Sequence, residues 1–191
     1  MHRRRALQLL GALAAVPALP ALRGFSESEL LALGERVHEG IEGHPYEPRA
    51  LTPGQFRAVE VAAEHIIPRT HTPGATDARV ADFIDAMLSD WHPPAERERF
   101  IAGLPELDRR AAGGDFSRAP SAQRIALLAA LDDEVTSLRR SNPQGANEHW
   151  FSTLKFLTVW GYYTSRVGIT DELRVDMMPG RYDGDVEYLG A

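Results

Sequence analysis

An all-α fold, a bundle of about five or six helices followed by an extended C-terminal tail, is predicted by three features of the sequence. Apolar residues recur three and four apart in one segment after another, and the ends of those segments carry helix start and stop residues. No stretch alternates apolar and polar residues for long enough to make a strand. The 191 residues are 43% hydrophobic and 25% charged, ordinary values for one globular domain with its own core.

The first helix is expected over about 27–40, because Ser26 and Glu29 form a capping box and Leu30, Leu33, Val37 and Ile41 follow on one face. A connector rich in turn residues, 42–50, leads to the clearest helix start in the chain. There Thr52 is the cap, Pro53 occupies the first turn and Gln55 closes the box. Phe56, Val59, Ala63, Ile66 and Ile67 supply the buried stripe, and Pro68 stops it. The loop 69–76 re-enters a helix in which Val80, Phe83, Ile84, Met87, Leu88 and Trp91 line one face. Over 95–112, Phe100, Ile101, Leu104, Leu107 and Ala111 keep helical spacing across Pro105, which must kink or split the segment, and Gly113-Gly114 ends it. Residues 121–138 read as a helix through Ile125, Leu128, Leu131 and Val135, with 139–145 as a polar loop. Asn147 is the expected cap of a last long helix carrying Trp150, Phe151, Leu154, Leu157, Trp160, Tyr163 and Val167, closed by Gly168. Beyond a short turn near 170–174 the helical period is lost. Residues 24–176 are therefore expected to form the helical domain and 177–191 an extended tail, either frayed or laid against a partner.

Residues 1–23 follow a different logic. Arg3, Arg4 and Arg5 precede an uncharged, Ala- and Leu-rich run that lasts until Arg23, the layout of an export signal. The arginine pair Arg4-Arg5, with Leu7 two residues on, fits the twin-arginine route, which carries folded proteins; an Arg-rich secretory signal is the alternative. Pro17 and Pro20 break the run, which makes it a poor spanning helix. A periplasmic location is expected. Loss of the three arginines with the signal moves the formal charge from −6 to −9, since 27 acids then face 18 basic residues. So acidic a domain is a poor fit to nucleic acid or an anionic membrane surface.

The chain contains no cysteine, which excludes thiolate-held iron–sulfur clusters, thioether-linked haem and cysteine nucleophiles. A di-iron carboxylate bundle needs two Glu-x-x-His pairs and two further glutamates, and only Glu35 with His38 fits that spacing. Glu64-His65 and Glu148-His149 are adjacent in sequence, so their side chains diverge around a helix and read as solvated faces. There is no serine elbow, dinucleotide fingerprint or phosphate loop, and Lys155 is the single lysine. His71, in a Pro-Gly loop, is the histidine best placed for a role, with no partner acid or base to name beside it. The cluster Trp160, Tyr162 and Tyr163 is expected to be core on one face and partner interface on the other, with Gly161 admitting a neighbouring backbone. No catalytic, cofactor-binding or metal-binding set can be assembled, leaving an independent exported metal-carboxylate enzyme built around Glu35 and His38 as the alternative to a non-catalytic subunit.

The assembled pattern resembles the gluconate 2-dehydrogenase subunit 3 family. The residues that carry the resemblance are the arginine-rich signal, Leu51 to Phe56, Ala62 to Pro68, Thr72 to Ala75, Val80 to Asp85 with Trp91, Leu157 to Ser165, and Pro179-Gly180-Arg181-Tyr182. The resemblance implies a helical subunit without a redox centre of its own, paired with a large flavoprotein dehydrogenase subunit of the glucose-methanol-choline type that holds FAD. Several such systems add a cytochrome c subunit bearing haem, and the assembly works at the outer face of the inner membrane. It further implies that this chain stabilises the large subunit and presents its own signal to the twin-arginine export machinery on behalf of both. Trp160, Tyr162, Tyr163, Pro179, Gly180, Arg181 and Tyr182 are the expected partner-binding residues.

Overall fold

Eight α-helices and no strand make up the described residues, 25–43 and 45–173, of a computed structural model. They are α1 (Glu27–Ile41), α2 (Pro53–Ile66), α3 (Val80–Asp90), α4 (Pro94–Gly103), α5 (Pro105–Arg110), α6 (Ser121–Ser141), α7 (Pro143–Glu148) and α8 (Trp150–Tyr163). The all-α expectation holds, and the helices outnumber the expected five or six because two prolines each start a short helix of their own. Pro105 splits the predicted 95–112 segment into α4 and α5, as its missing N–H requires. Pro143 opens α7, where the sequence reads as a loop; Asn142 caps it by accepting the Gly145 N–H at 2.9 Å. The expected cap of the last helix is thereby corrected from Asn147 to His149, whose Nδ1 accepts the Phe151 N–H at 3.2 Å. Both predicted capping boxes are formed, Ser26 with Glu29 and Thr52 with Gln55.

Helix α8 is the axis of the bundle. Its sequence is apolar on all sides, and it packs against α2, α3, α4, α6 and α7, burying Phe151, Leu154, Leu157, Trp160 and Tyr162. Helix α3 is nearly as enclosed, with eight of its eleven residues buried. The two helices meet at Gly161, where a Cβ would lie 2.6 Å from Phe83 Cδ1; only glycine lets the backbone come this close. Helix α1 closes the other side through Gly34, whose absent Cβ leaves room for the Thr164 side chain. Between α5, α6 and α8 runs a polar chain: Trp150 Nε1 donates to Glu106 at 2.9 Å, Glu106 pairs with Arg110, and Arg110 also reaches Glu134. These charges are partly exposed, so they add orientation more than stability.

Two predicted core positions are corrected. Trp91 is 43% exposed because α3 ends at Asp90, so Trp91 is the C-cap and its ring leaves the buried stripe. Ile125 is 56% exposed, and α6 buries only Leu128, Leu131 and Val135 along its length. Past α8 the chain makes one wide turn at Gly168–Glu172, close to the short turn expected near 170–174. The export-signal residues Arg4, Arg5 and Leu7 and the tail residues Pro179, Gly180, Arg181 and Tyr182 lie outside the described residues. Among the described residues no helix is long and apolar enough to cross a membrane.

Candidate functional site

The residues singled out for chemistry are separated by the fold and used within it. Trp160, Tyr162 and Tyr163 are buried, at 2%, 1% and 8% exposure, so the expected second, outward face of this cluster does not exist in the described chain. Trp160 stands edge-on to Phe83, with ring centroids 5.4 Å apart, and Tyr162 donates its hydroxyl to the Pro73 carbonyl at 2.7 Å. Burial pushes the Tyr162 phenol up to about 12 and the Tyr163 phenol in the same direction. Gly161 does admit a close neighbour, as predicted, but that neighbour is the chain's own Phe83.

Glu35 and His38 are not brought into one site. Glu35 is exposed, whereas His38 is 5% exposed, stacks on Phe83 at 4.9 Å and donates Nε2–H to the Gly161 carbonyl at 2.7 Å. Burial holds the His38 imidazole below its usual range, while the Gly161 bond and Glu42 oppose that shift and Arg79 adds to it. The folded state therefore prefers neutral His38. Because the folded pKa lies below the unfolded value of 6.5, stability is intact above that value and is lost as pH falls below it. Unfolding free energy measured from pH 7.5 to 5 is expected to fall, and His38→Gln, which keeps a donor for Gly161, is expected to flatten part of that slope. Burial lowers His92 likewise, so some slope remains in the variant. An unchanged slope in His38→Gln would remove His38 from the account.

The other acid–histidine neighbours are structural. Glu64 accepts the Arg69 and Thr76 N–H groups, both at 2.9 Å, and so closes the loop after α2 from inside. Its partial burial raises the carboxyl, but the two backbone donors outweigh that and hold it below the usual range. His65 Nδ1 donates to the Val61 carbonyl at 2.8 Å, and its Nε2 lies 3.2 Å from Ser121 Oγ. His149 is the cap of α8 and Lys155 pairs with Asp132 at 2.6 Å. His71 is exposed beside Thr70, 3.5 Å from its hydroxyl. Among the described residues no group of three or more histidine, aspartate and glutamate side chains converges as a metal site would require.

The most elaborate polar site is one that sequence reasoning missed. Asp85, fully buried on α3, accepts four hydrogen bonds from the connector that precedes α2. Oδ2 takes the Tyr46 hydroxyl at 2.8 Å and the Arg49 N–H at 2.7 Å; Oδ1 takes the Ala50 and Leu51 N–H groups at 3.1 and 2.8 Å. All four partners are donors, which is what makes a buried acid tolerable here. Burial and the Asp85 bond push the Tyr46 phenol well above its usual range. The Asp85 bonds fix an irregular segment against a helix, and the fixed segment forms one wall of a cleft of about 480 Å³. The other walls are α1, with Arg36, Val37, Gly40 and Ile41, and the end of α3, with Ala86, Asp90 and Trp91. Arg49 grips Asp90 with two bonds, at 2.9 and 2.7 Å, across the opening. A signal for this site was present in the sequence: an aspartate set between Phe83-Ile84 and Ala86-Met87-Leu88, where an acid must find donors.

The family model described as gluconate 2-dehydrogenase subunit 3 matches residues 53–180 of the chain. No curated protein and no solved structure matches it.

Proposed function

The chain belongs to the gluconate 2-dehydrogenase subunit 3 family, a family of dehydrogenase-complex subunits, and from that membership we propose a specific task within such a complex. It is a non-catalytic small subunit that stabilises a large FAD-dependent dehydrogenase of the glucose-methanol-choline type, acting on a sugar or sugar acid. Its N-terminal segment is a twin-arginine signal that takes both subunits, already folded and associated, to the periplasm. A cytochrome c subunit with haem completes the electron path in such an assembly, at the outer face of the inner membrane. The observation that carries this reading is the family match through most of the helical domain. Three features support it: the arrangement Arg4-Arg5-Ala6-Leu7 at the head of an uncharged run, the absence of cysteine, and polar side chains spent on holding the fold together.

The test follows the cargo. With Arg4→Lys and Arg5→Lys together, the large flavin-bearing subunit is expected to remain in the cytoplasm with this chain, and periplasmic dehydrogenase activity to fall to the level of a strain lacking the small subunit. A flavoprotein that still reaches the periplasm would refute the escort role.

A further inference from the structure

The cleft between α1, the connector and the end of α3 carries exposed Arg36, Glu47, Arg49, Asp90 and Trp91 on its lining; Arg49 and Asp90 answer each other, and Trp91 and Arg36 specify what the cleft takes. Trp91 is one of the few large apolar side chains standing exposed on the described surface, at 43%. The Arg36 guanidinium lies over its ring, 6.0 Å from the centroid, and Arg36 Nε donates to the Ala32 carbonyl at 3.3 Å. Among the described residues no carboxylate pairs with Arg36, whereas the neighbouring Arg49 is neutralised by Asp90. Tryptophan, tyrosine and arginine are the side chains that dominate binding energy when a partner covers them, and Trp91, Tyr46 and Arg36 line this one concavity. Its wall is held in place by the Asp85 hydrogen bonds, so docking orders little backbone that is not already ordered.

We propose that this cleft receives a segment of the large dehydrogenase subunit that places an apolar side chain against Trp91 and an aspartate or glutamate on Arg36. The proposal rests on the subunit role given above and adds to it the surface and the chemistry of contact. The positive charge of Arg36, which no described carboxylate pairs, defines the acid, because a guanidinium covered by a partner without one would be desolvated at a net cost. The exposed indole defines the apolar neighbour. The second large opening, about 390 Å³ between α5 and α6, also holds an arginine that no described carboxylate pairs, Arg124, but it has no exposed aromatic platform beside it, since its one ring, Phe116, is fully buried.

The experiment is co-expression of the full chain, carrying an affinity tag, with the large subunit, reading the amount of large subunit recovered and the far-UV CD of each variant. Trp91→Ala and Arg36→Glu are expected to keep the helical spectrum and to lower recovery about tenfold or more. Arg36→Lys, which keeps the charge, and Ile125→Ala, which removes an exposed apolar group elsewhere, are expected to stay within about twofold of the parent. A photo-crosslinking aromatic residue in place of Trp91 is expected to join a large-subunit peptide that contains an aspartate or glutamate. Parent complex that forms while Trp91→Ala and Arg36→Glu bind equally well overturns the cleft and leaves the subunit role standing. A crosslink to a second copy of this chain, or to a peptide without an acid, overturns the occupant. Failure of the parent chain to bind the large subunit at all overturns both readings.

Discussion

Asp85→Ala is expected to lower the unfolding free energy by about 3–5 kcal/mol, the cost of stripping buried donors of a shared, charge-capable acceptor. The Tyr46 hydroxyl and the Arg49, Ala50 and Leu51 N–H groups lose their acceptor at once. For a chain of this length such a loss lowers the thermal midpoint by roughly 10 °C. Asp85→Asn keeps the size of the side chain but turns one acceptor oxygen into an amide that confronts donors, so it is expected to retain only part of the stability. Urea unfolding followed by far-UV CD measures both. A loss below about 1 kcal/mol in the alanine variant would show that the connector is held by its apolar contacts and not by the carboxylate. Because the connector forms a wall of the cleft proposed for docking, Asp85→Ala is also expected to weaken binding of the proposed large subunit without touching Trp91 or Arg36.

The second large effect is expected at Gly161. A methyl group there would stand 2.6 Å from Phe83 Cδ1 and 2.9 Å from Cγ, well inside contact distance, on a helix surrounded by packed neighbours. Phe83 cannot turn aside easily, since the His38 ring stacks on it and Trp160 meets its edge. Overpacking of this kind costs about 1–3 kcal/mol, and the rigidity of the stack puts Gly161→Ala at the upper end. Near-UV CD is expected to change, because the affected rings include Trp160. The double variant Gly161→Ala with Phe83→Leu is expected to lose less than the two single losses combined, since the smaller side chain vacates the space the methyl needs. Simple additivity of the two would show that the methyl is accommodated by backbone movement instead.

Helix identity was legible where local chemistry decides it. Ser26 with Glu29 and Thr52 with Gln55 each place donors and acceptors three residues apart at a helix start, and both boxes form as written. Pro105 likewise divides its segment in the way its ring and missing N–H dictate. The errors fall where a residue's role depends on the end of an element or on a distant segment. Trp91 keeps the spacing of the α3 stripe, yet the helix stops one residue before it, so its direction is no longer set by the helical period. Ile125 keeps the spacing of α6, but nothing in the described chain is packed over it. The donors that Asp85 and Glu64 find were unreadable, because they lie 34 to 39 and 5 to 12 residues away, on irregular backbone that carries no periodic signal. The aromatic cluster at 160–163 failed for the opposite reason. Its composition suits an interface and a core equally, and only the presence of α3 and the 67–79 loop around it makes it core.

The bond from His38 to Gly161 joins residues 123 positions apart, the first described helix to the last. During synthesis α1 leaves the ribosome long before α8 exists, so the apolar side of α1 has no lasting partner until nearly the whole chain has been made. Passage of the chain through a narrow channel with its N-terminus leading would reimpose that separation, returning α1 to water while α8 was still on the other side. Movement in the folded state would leave α1 and α8 in contact throughout.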